Sequence, residues 1–264
     1  MKVNALIIGA ARSATTSISQ ILDQHPEICL SNPKEPQFFS NPNWRDHIDT
    51  YHQGFEKEAT IYLEASTNYS KFPAFNPKIH QDISEYNKDI KLIYIMRHPI
   101  DRMVSHYKFS VERGLTTDDL ETAFQTNPIY KDTSDYYKQI ELYLKYFKKE
   151  QLLLLLFEDF SSNPVKVLNE ISKFLDVSPF EFDLSKSHVN RSNSGEIGHI
   201  KYDKTPTLQS KIKKVLHYLS RQWKPAKTKI ELSSELKKEI QKDLENDLVK
   251  LESLLNRDLS QWRQ

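Results

Sequence analysis

One stretch limits what this chain can fold into more than any other: residues 3–22, VNALIIGAARSATTSISQIL. Val3, Ala5, Leu6, Ile7 and Ile8 form a short apolar run that suits a buried strand. Residues 9–14 are a loop of small residues with one cation, Arg12. From Thr15 to Gln24 the chain reads as a helix, because Ile18, Ile21 and Leu22 fall at helical spacing. A buried strand that turns tightly into a helix N-terminus makes an anion site. The first helical N–H groups lack internal partners, and the macrodipole adds partial positive charge there. Thr15, Thr16 and Ser17 add hydroxyl donors at the same spot. The pattern predicts a phosphate-binding loop.

It is not a Walker A loop. That motif needs Gly, four residues, then Gly-Lys-Ser/Thr. Counted from Gly9, those places hold Ala14, Thr15 and Thr16, so the lysine is absent and the cation sits three residues earlier. GAARSATT instead resembles the 5′-phosphosulfate loop of sulfotransferases that use 3′-phosphoadenosine-5′-phosphosulfate (PAPS). Their pattern is roughly Gly-x-x-Lys/Arg-Ser/Gly-Gly-Thr-Thr/Ser. Arg12 takes the cation position and Ala14 stands where glycine is usual. If that backbone needs positive φ, alanine costs about 1 kcal/mol relative to glycine.

KLIYIMRHPIDRMVSHYKFSVERG, residues 91–114, is the second informative stretch. Leu92 to Met96 is apolar throughout, as in a parallel strand covered on both faces. Arg97 follows at its C-terminal end, where ligands bind in open α/β sheets. Pro99 suits the first residue of a helix, and Ile100, Met103, Val104 and Tyr107 continue a helical stripe. Arg97 and Ser105 can then converge on one anion. The series Arg97, Pro99, Arg102, Ser105, Tyr107 resembles the 3′-phosphate motif of the same family, Arg-x-Pro-x-x-Arg-x-x-Ser-x-Tyr.

Two further segments resemble the heparan-sulfate-type and bacterial branches. The loop at 31–44, SNPKEPQFFSNPNW, carries Lys-Glu-x-x-Phe-Phe, and Glu35 matches a glutamate that serves as catalytic base in part of that group. The strand end at 61–73, IYLEASTNYSKFP, resembles Glu-Lys-Ser/Thr-x-x-Tyr. There Glu64 matches the base proposed for the N-sulfotransferase branch, with Ala65 in place of lysine. From the residues alone, Glu35 belongs to a surface loop and Glu64 to a strand end bonded to a neighbouring loop. Glu35 and Glu64 compete as the base, with a slight lean to Glu35. His106 reads as an ordinary helix histidine.

The rest of the chain fits one expectation: a single α/β domain over residues 1–264, with a central parallel sheet flanked by helices in the P-loop-containing sulfotransferase-like fold, and a helical C-terminal portion from about 205. Ile28 to Leu30 suits a second strand, and residues 117–125 and 134–147 read as helices. Five consecutive leucines within 151–157 predict another buried strand, and Asn163-Pro164 starts a helix. Glu158 and Asp159 lack His or Cys at ligand spacing, which argues against a metal site, and the resemblance implies a structural role for the pair. HVNRSNSGEIG, residues 188–198, falls where the family places a loop over the nucleotide, making Arg191, Ser192 and Asn193 the candidates for covering it. An amphipathic helix spans 233–256, and LLNRDLSQW resembles the usual family terminus, with Trp262 packing back.

Composition narrows the partners. A net charge of +1 gives no reason to expect nucleic-acid binding. A single cysteine, Cys29, excludes an internal disulfide and suits a reducing compartment. No stretch approaches the ~18 apolar residues of a membrane span. Met1-Lys2 and the apolar run mimic a signal peptide, but cleavage near Ala10 would discard the phosphate loop. Animal glycosaminoglycan enzymes of the family that the motifs resemble are usually Golgi-anchored, so with no anchor in this sequence the resemblance implies a bacterial cytoplasmic enzyme. The resemblance implies PAPS as donor and a hydroxyl- or amine-bearing acceptor such as a carbohydrate or glycoconjugate; no metal is required, because the sulfonate carries a single charge and the protein cations suffice. Two alternatives stay open: a silent PAP- or PAPS-binding protein of the same fold, and a divergent P-loop kinase.

Overall fold

Short apolar strands buried on both faces build the frame. The structure, a computed structural model, describes residues 1–186 and 232–264. Its sheet contains β1 (Ala5–Gly9), β2 (Ile28–Leu30), β3 (Ile61–Ala65), β4 (Lys91–Met96) and β5 (Leu152–Leu156). All neighbours are parallel, in the order β2-β3-β1-β4-β5, with Ala5 beside both Leu63 and Lys91. Successive side chains point to opposite faces. Ala5, Ile7, Ile93 and Ile95 pack on one side with Ile18 and Ile21, while Leu6, Ile8, Leu92 and Tyr94 pack on the other with Tyr69 and Trp262. Burial on both faces explains why β1 and β4 read as unbroken apolar runs.

The helices are α1 (Thr15–Leu22), α2 (Ile48–Gln53), α3 (Ile79–Tyr86), α4 (Pro99–Glu112), α5 (Leu120–Thr126), α6 (Ile129–Asp132), α7 (Tyr136–Leu144), α8 (Phe157–Ser162), α9 (Pro164–Leu175) and α10 (Ser234–Leu255). Caps fix several ends. Asn163 Oδ1 accepts from Lys166 N–H at 3.0 Å with Pro164 in the first turn, and Asp119 Oδ1 accepts from Thr122 N–H at 2.9 Å. The latter starts α5 at Leu120 rather than Thr117. Asn256, in the left-handed region at φ 49°, ends α10.

The carboxylates after β5 are structural, as expected. Glu158 Oε1 accepts from His98 N–H at 2.8 Å, tying β5 to the start of α4. Asp159 takes two hydrogen bonds from the Arg257 guanidinium, one at 2.8 Å from Nη2 and a shorter one from Nη1. That pair pins the end of α10, and Trp262 closes the packing at 2% exposure with its ring 5.8 Å from Tyr136.

Strand order positions the site. The chain leaves β1 towards β2 and β3, and leaves β4 towards β5. The loops after β1 and β4 therefore diverge and open a crevice between them, the place where open α/β sheets take ligands. The loops carrying Arg12, Glu35 and Arg97 all follow C-terminal strand ends, on that same edge.

Candidate active site

The loop after β1 is held by close approach. A Cβ on Gly9 would stand 1.9 Å from Ser70 Oγ and 2.9 Å from the Tyr94 ring, so only glycine fits there. Arg12 and Ala14 adopt φ of 76° and 62°, and Glu35 and Gln37 on the facing loop adopt 59° and 54°. Four left-handed non-glycine residues in two loops at one strand edge mark a shape held by its surroundings, which is common where a ligand must be met. Ala14 supplies no side-chain cap to α1, leaving the helix N-terminus to another acceptor. Ser13 Oγ is buried with no partner among the described residues. Thr15 is buried, Ser17 half-buried and Thr16 exposed.

The left-handed geometry at Ala14 gives a direct expectation. Ala14→Gly should stabilise the fold by about 1 kcal/mol, the relief of Cβ strain exceeding the extra freedom of glycine in the unfolded chain. Urea midpoints of the two proteins measure it, and an unchanged or lower midpoint would contradict the strain at this residue.

The two anion motifs meet. Arg12 Nε donates to Ser105 Oγ at 3.1 Å, and Arg97 Nη1 donates to the Arg12 carbonyl at 3.4 Å. Arg12 lies over the Phe109 ring at 5.0 Å and Arg97 over Phe157 at 4.7 Å. Arg97 has Asp101 at 3.9 Å, while its Nε is buried without a partner. Burial lowers the proton affinity of Arg12; Glu112 and Glu35 oppose this and Arg97 adds to it. Arg12, Arg97, Ser105, Lys108 and Lys237 line a cavity of about 580 Å³ beside α4. Lys108 and Lys237 were not singled out by sequence reasoning. Their only signal was a lysine in a helix, which normally marks a solvated face.

Arg102 and Tyr107, within the same motif, turn away from the cavity. Arg102 is fully buried and donates to Ser134 Oγ at 2.6 Å, to the Tyr130 carbonyl, and to His106 Nδ1 at 3.4 Å. Tyr107 donates to the Asp118 carbonyl at 2.9 Å. Burial, with help from Arg102, pushes the His106 ring down to about 2, so it is neutral and fixed in the packing.

The two candidate carboxylates differ in setting. Glu64 has no exposed surface; Tyr69 donates to its Oε1 at 2.6 Å and Tyr51 to its Oε2. Burial raises it to about 7 against these hydrogen bonds. The Tyr69 hydroxyl also accepts from Phe39 N–H at 3.0 Å, and Tyr51 stacks on Phe38 with ring centres 3.8 Å apart. Glu64 thus anchors the loop that carries Glu35. Glu35 keeps 9% exposure and receives a hydrogen bond from Lys34 Nζ at 2.8 Å. Lys71, which faces Glu35 and falls to about 8 by burial, donates to Asn68 Oδ1 at 2.8 Å; Asn68 donates to Gln37 Oε1 at 2.6 Å. Arg191, Ser192 and Asn193 lie outside the described residues. Among the described residues, no cluster of three or more His, Cys, Asp or Glu side chains is placed to hold a metal ion, and no helix is long and apolar enough to cross a membrane.

A family model for the sulfotransferase domain matches residues 2–252. The chain belongs to the sulfotransferase domain family. This sulfotransferase-family chain is 25% identical over 248 residues to heparan sulfate glucosamine 3-O-sulfotransferase 5 of Mus musculus, covering 83% of the chain and 70% of that protein. It is 23% identical over 195 residues to the bifunctional heparan sulfate N-deacetylase/N-sulfotransferase 1 of Caenorhabditis elegans, covering 67% of the chain. It spans only 22% of that longer protein. Among solved structures, a sulfotransferase from Alicyclobacillus acidocaldarius superposes with a TM-score of 0.74 at 25% identity, over 100% of both chains. The five-stranded parallel sheet flanked by helices is the sulfotransferase fold expected from the sequence.

Proposed function

We propose that this chain, acting as one domain over residues 1–264, transfers the sulfuryl group of PAPS to a hydroxyl or amine of a carbohydrate or glycoconjugate acceptor. One observation carries the reading: Arg12 after β1 and Arg97 after β4 are joined through Ser105 and the Arg12 carbonyl into one anion-binding wall. A nucleotide with phosphates at both the 5′ and 3′ positions needs two such sites, and an ATP enzyme does not. The residues fit the donor, since Ser13 Oγ and Arg97 Nε are buried polar atoms awaiting partners. The names of the relatives, heparan sulfate enzymes, favour a carbohydrate acceptor.

The donor supplies an activated sulfuryl group with adenosine 3′,5′-bisphosphate (PAP) as leaving group. In this reading Arg12, the amides of residues 13–17 and the hydroxyls of Ser13, Thr15, Thr16 and Ser17 hold the 5′ end. A guanidinium stays protonated at neutral pH, so Arg12 acts by charge on the departing oxygen and not as a proton donor. Arg97 and Ser105 hold the 3′-phosphate, and Arg191, Ser192 and Asn193 cover the nucleotide. Glu35 takes the proton of the attacking hydroxyl or amine. It is favoured over Glu64 because both Glu64 oxygens are already held by tyrosines in the core.

Calorimetric titration tests the donor site. PAP should bind more tightly than ATP or 5′-AMP, and Arg97→Ala should weaken PAP roughly 10- to 100-fold, the loss of a charge-assisted phosphate contact. ATP binding as tight as PAP and indifferent to Arg97 would remove the reading.

A further inference from the structure

On the donor reading above, we infer that α10 forms a wall of the nucleotide cavity and that Lys237 binds the 3′-phosphate there, beside Arg97. The helix is fixed by its apolar face. Leu236, Ile240 and Leu244 bury against Ile100, Met103 and Tyr107 of α4 and against α5. Each helical residue turns about 100° from the last. With Leu236 locked into the packing, Lys237 is directed into the cavity and is half-buried, whereas Lys238 and Lys242 are exposed.

Charge supports the assignment. Four cations line the cavity, Arg12, Arg97, Lys108 and Lys237, against two carboxylates, Asp101 and Glu112. Asp101 is already paired with Arg97. Three carboxylates of α10 are taken up by other cations, Asp243 by Lys131 and Glu245 and Glu252 by Arg263, so none of them neutralises Lys237. Among the described residues Lys237 has none within ion-pair distance. Packing like charges into a half-buried wall is unfavourable unless an anion enters. Lys237 lines the same cavity as Arg97 and Ser105. Burial lowers the proton affinity of the nearby His98 ring, Asp101 and Glu158 oppose this, and Lys237 and Arg97 add to it. The remaining wall, Ile100, Val104 and Leu232, is apolar and suits the flat face of a base.

The probes are PAP, 3′-AMP and 5′-AMP, titrated into wild type, Lys237→Gln, Lys237→Arg and Lys238→Gln at low salt. Lys237→Gln should weaken PAP and 3′-AMP about tenfold, a single charge-assisted contact, and leave 5′-AMP within about twofold. Lys237→Arg should restore most of the affinity, and Lys238→Gln, which removes the same charge from the exposed side, should bind as wild type. Raising the salt should narrow the gap between wild type and Lys237→Gln. Unchanged PAP binding in Lys237→Gln, with PAP still preferred by wild type, would overturn this inference alone. An equal loss for PAP and 5′-AMP would also overturn the 3′ placement. A wild type that does not prefer PAP over 5′-AMP would remove the donor reading and this assignment together.

Discussion

Arg12→Ala is expected to slow the proposed sulfuryl transfer by roughly 100- to 1,000-fold, the usual cost of deleting one preorganised group at a developing charge. The guanidinium is half-buried, held by Ser105 and stacked over Phe109, so it needs little rearrangement when charge builds on the leaving group. Alanine at this position keeps a Cβ in the left-handed region, so the backbone preference of the loop is nearly unchanged. The effect then falls on charge and not on folding. It is read as single-turnover release of PAP from PAPS, with circular dichroism confirming the fold. Arg12→Lys should recover part of the rate, since an ammonium restores charge without the planar fork. A rate within about threefold of wild type in Arg12→Ala would show that the cation does not serve the transfer.

Glu64→Gln is expected to flatten the pH dependence of stability between about pH 4.5 and 7. Burial raises the folded-state value of Glu64 from an ordinary 4.5 to about 7. In that window the native state holds a proton that the unfolded state has lost, so stability falls as pH rises. The contribution of the neutral carboxyl is complete below about 4.5 and gone above about 7, with a span on the order of 3 kcal/mol. Glutamine never ionises and removes this component. Asp247 gives a slope of the same sign, because burial and Asp135 raise it to about 8. The difference between wild type and variant therefore isolates Glu64. Guanidinium unfolding at pH 5, 6, 7 and 8 measures both curves, and parallel slopes would mean that Glu64 does not titrate within the fold.

How much of this was legible in the sequence follows from the range of the forces involved. Short apolar runs and helix caps are local, so β1, β4, the α4 start at Pro99 and the cap at Asn163 could be read from neighbouring residues. Spacing alone also placed Arg97 at a strand end and Ser105 on the helix that follows, where the two can converge. Spacing did not show that Arg102, in the same motif, faces the core and bonds Ser134 instead. Nor did it show that Glu64, the less favoured of two candidates for the base, is sealed between Tyr51 and Tyr69.

The sequence by itself determined a strand–loop–helix with a cation in its loop, a second cation and serine after an apolar strand, and the parallel sheet that both imply. Only the tertiary structure decided that Arg12 reaches Ser105 from another strand, that the Glu35 loop hangs from a buried carboxylate, and that Lys237 of the C-terminal helix lines the same cavity. The physical reason is that backbone periodicity is set within a turn or a few strand residues, whereas burial and charge depend on every element packed around a group.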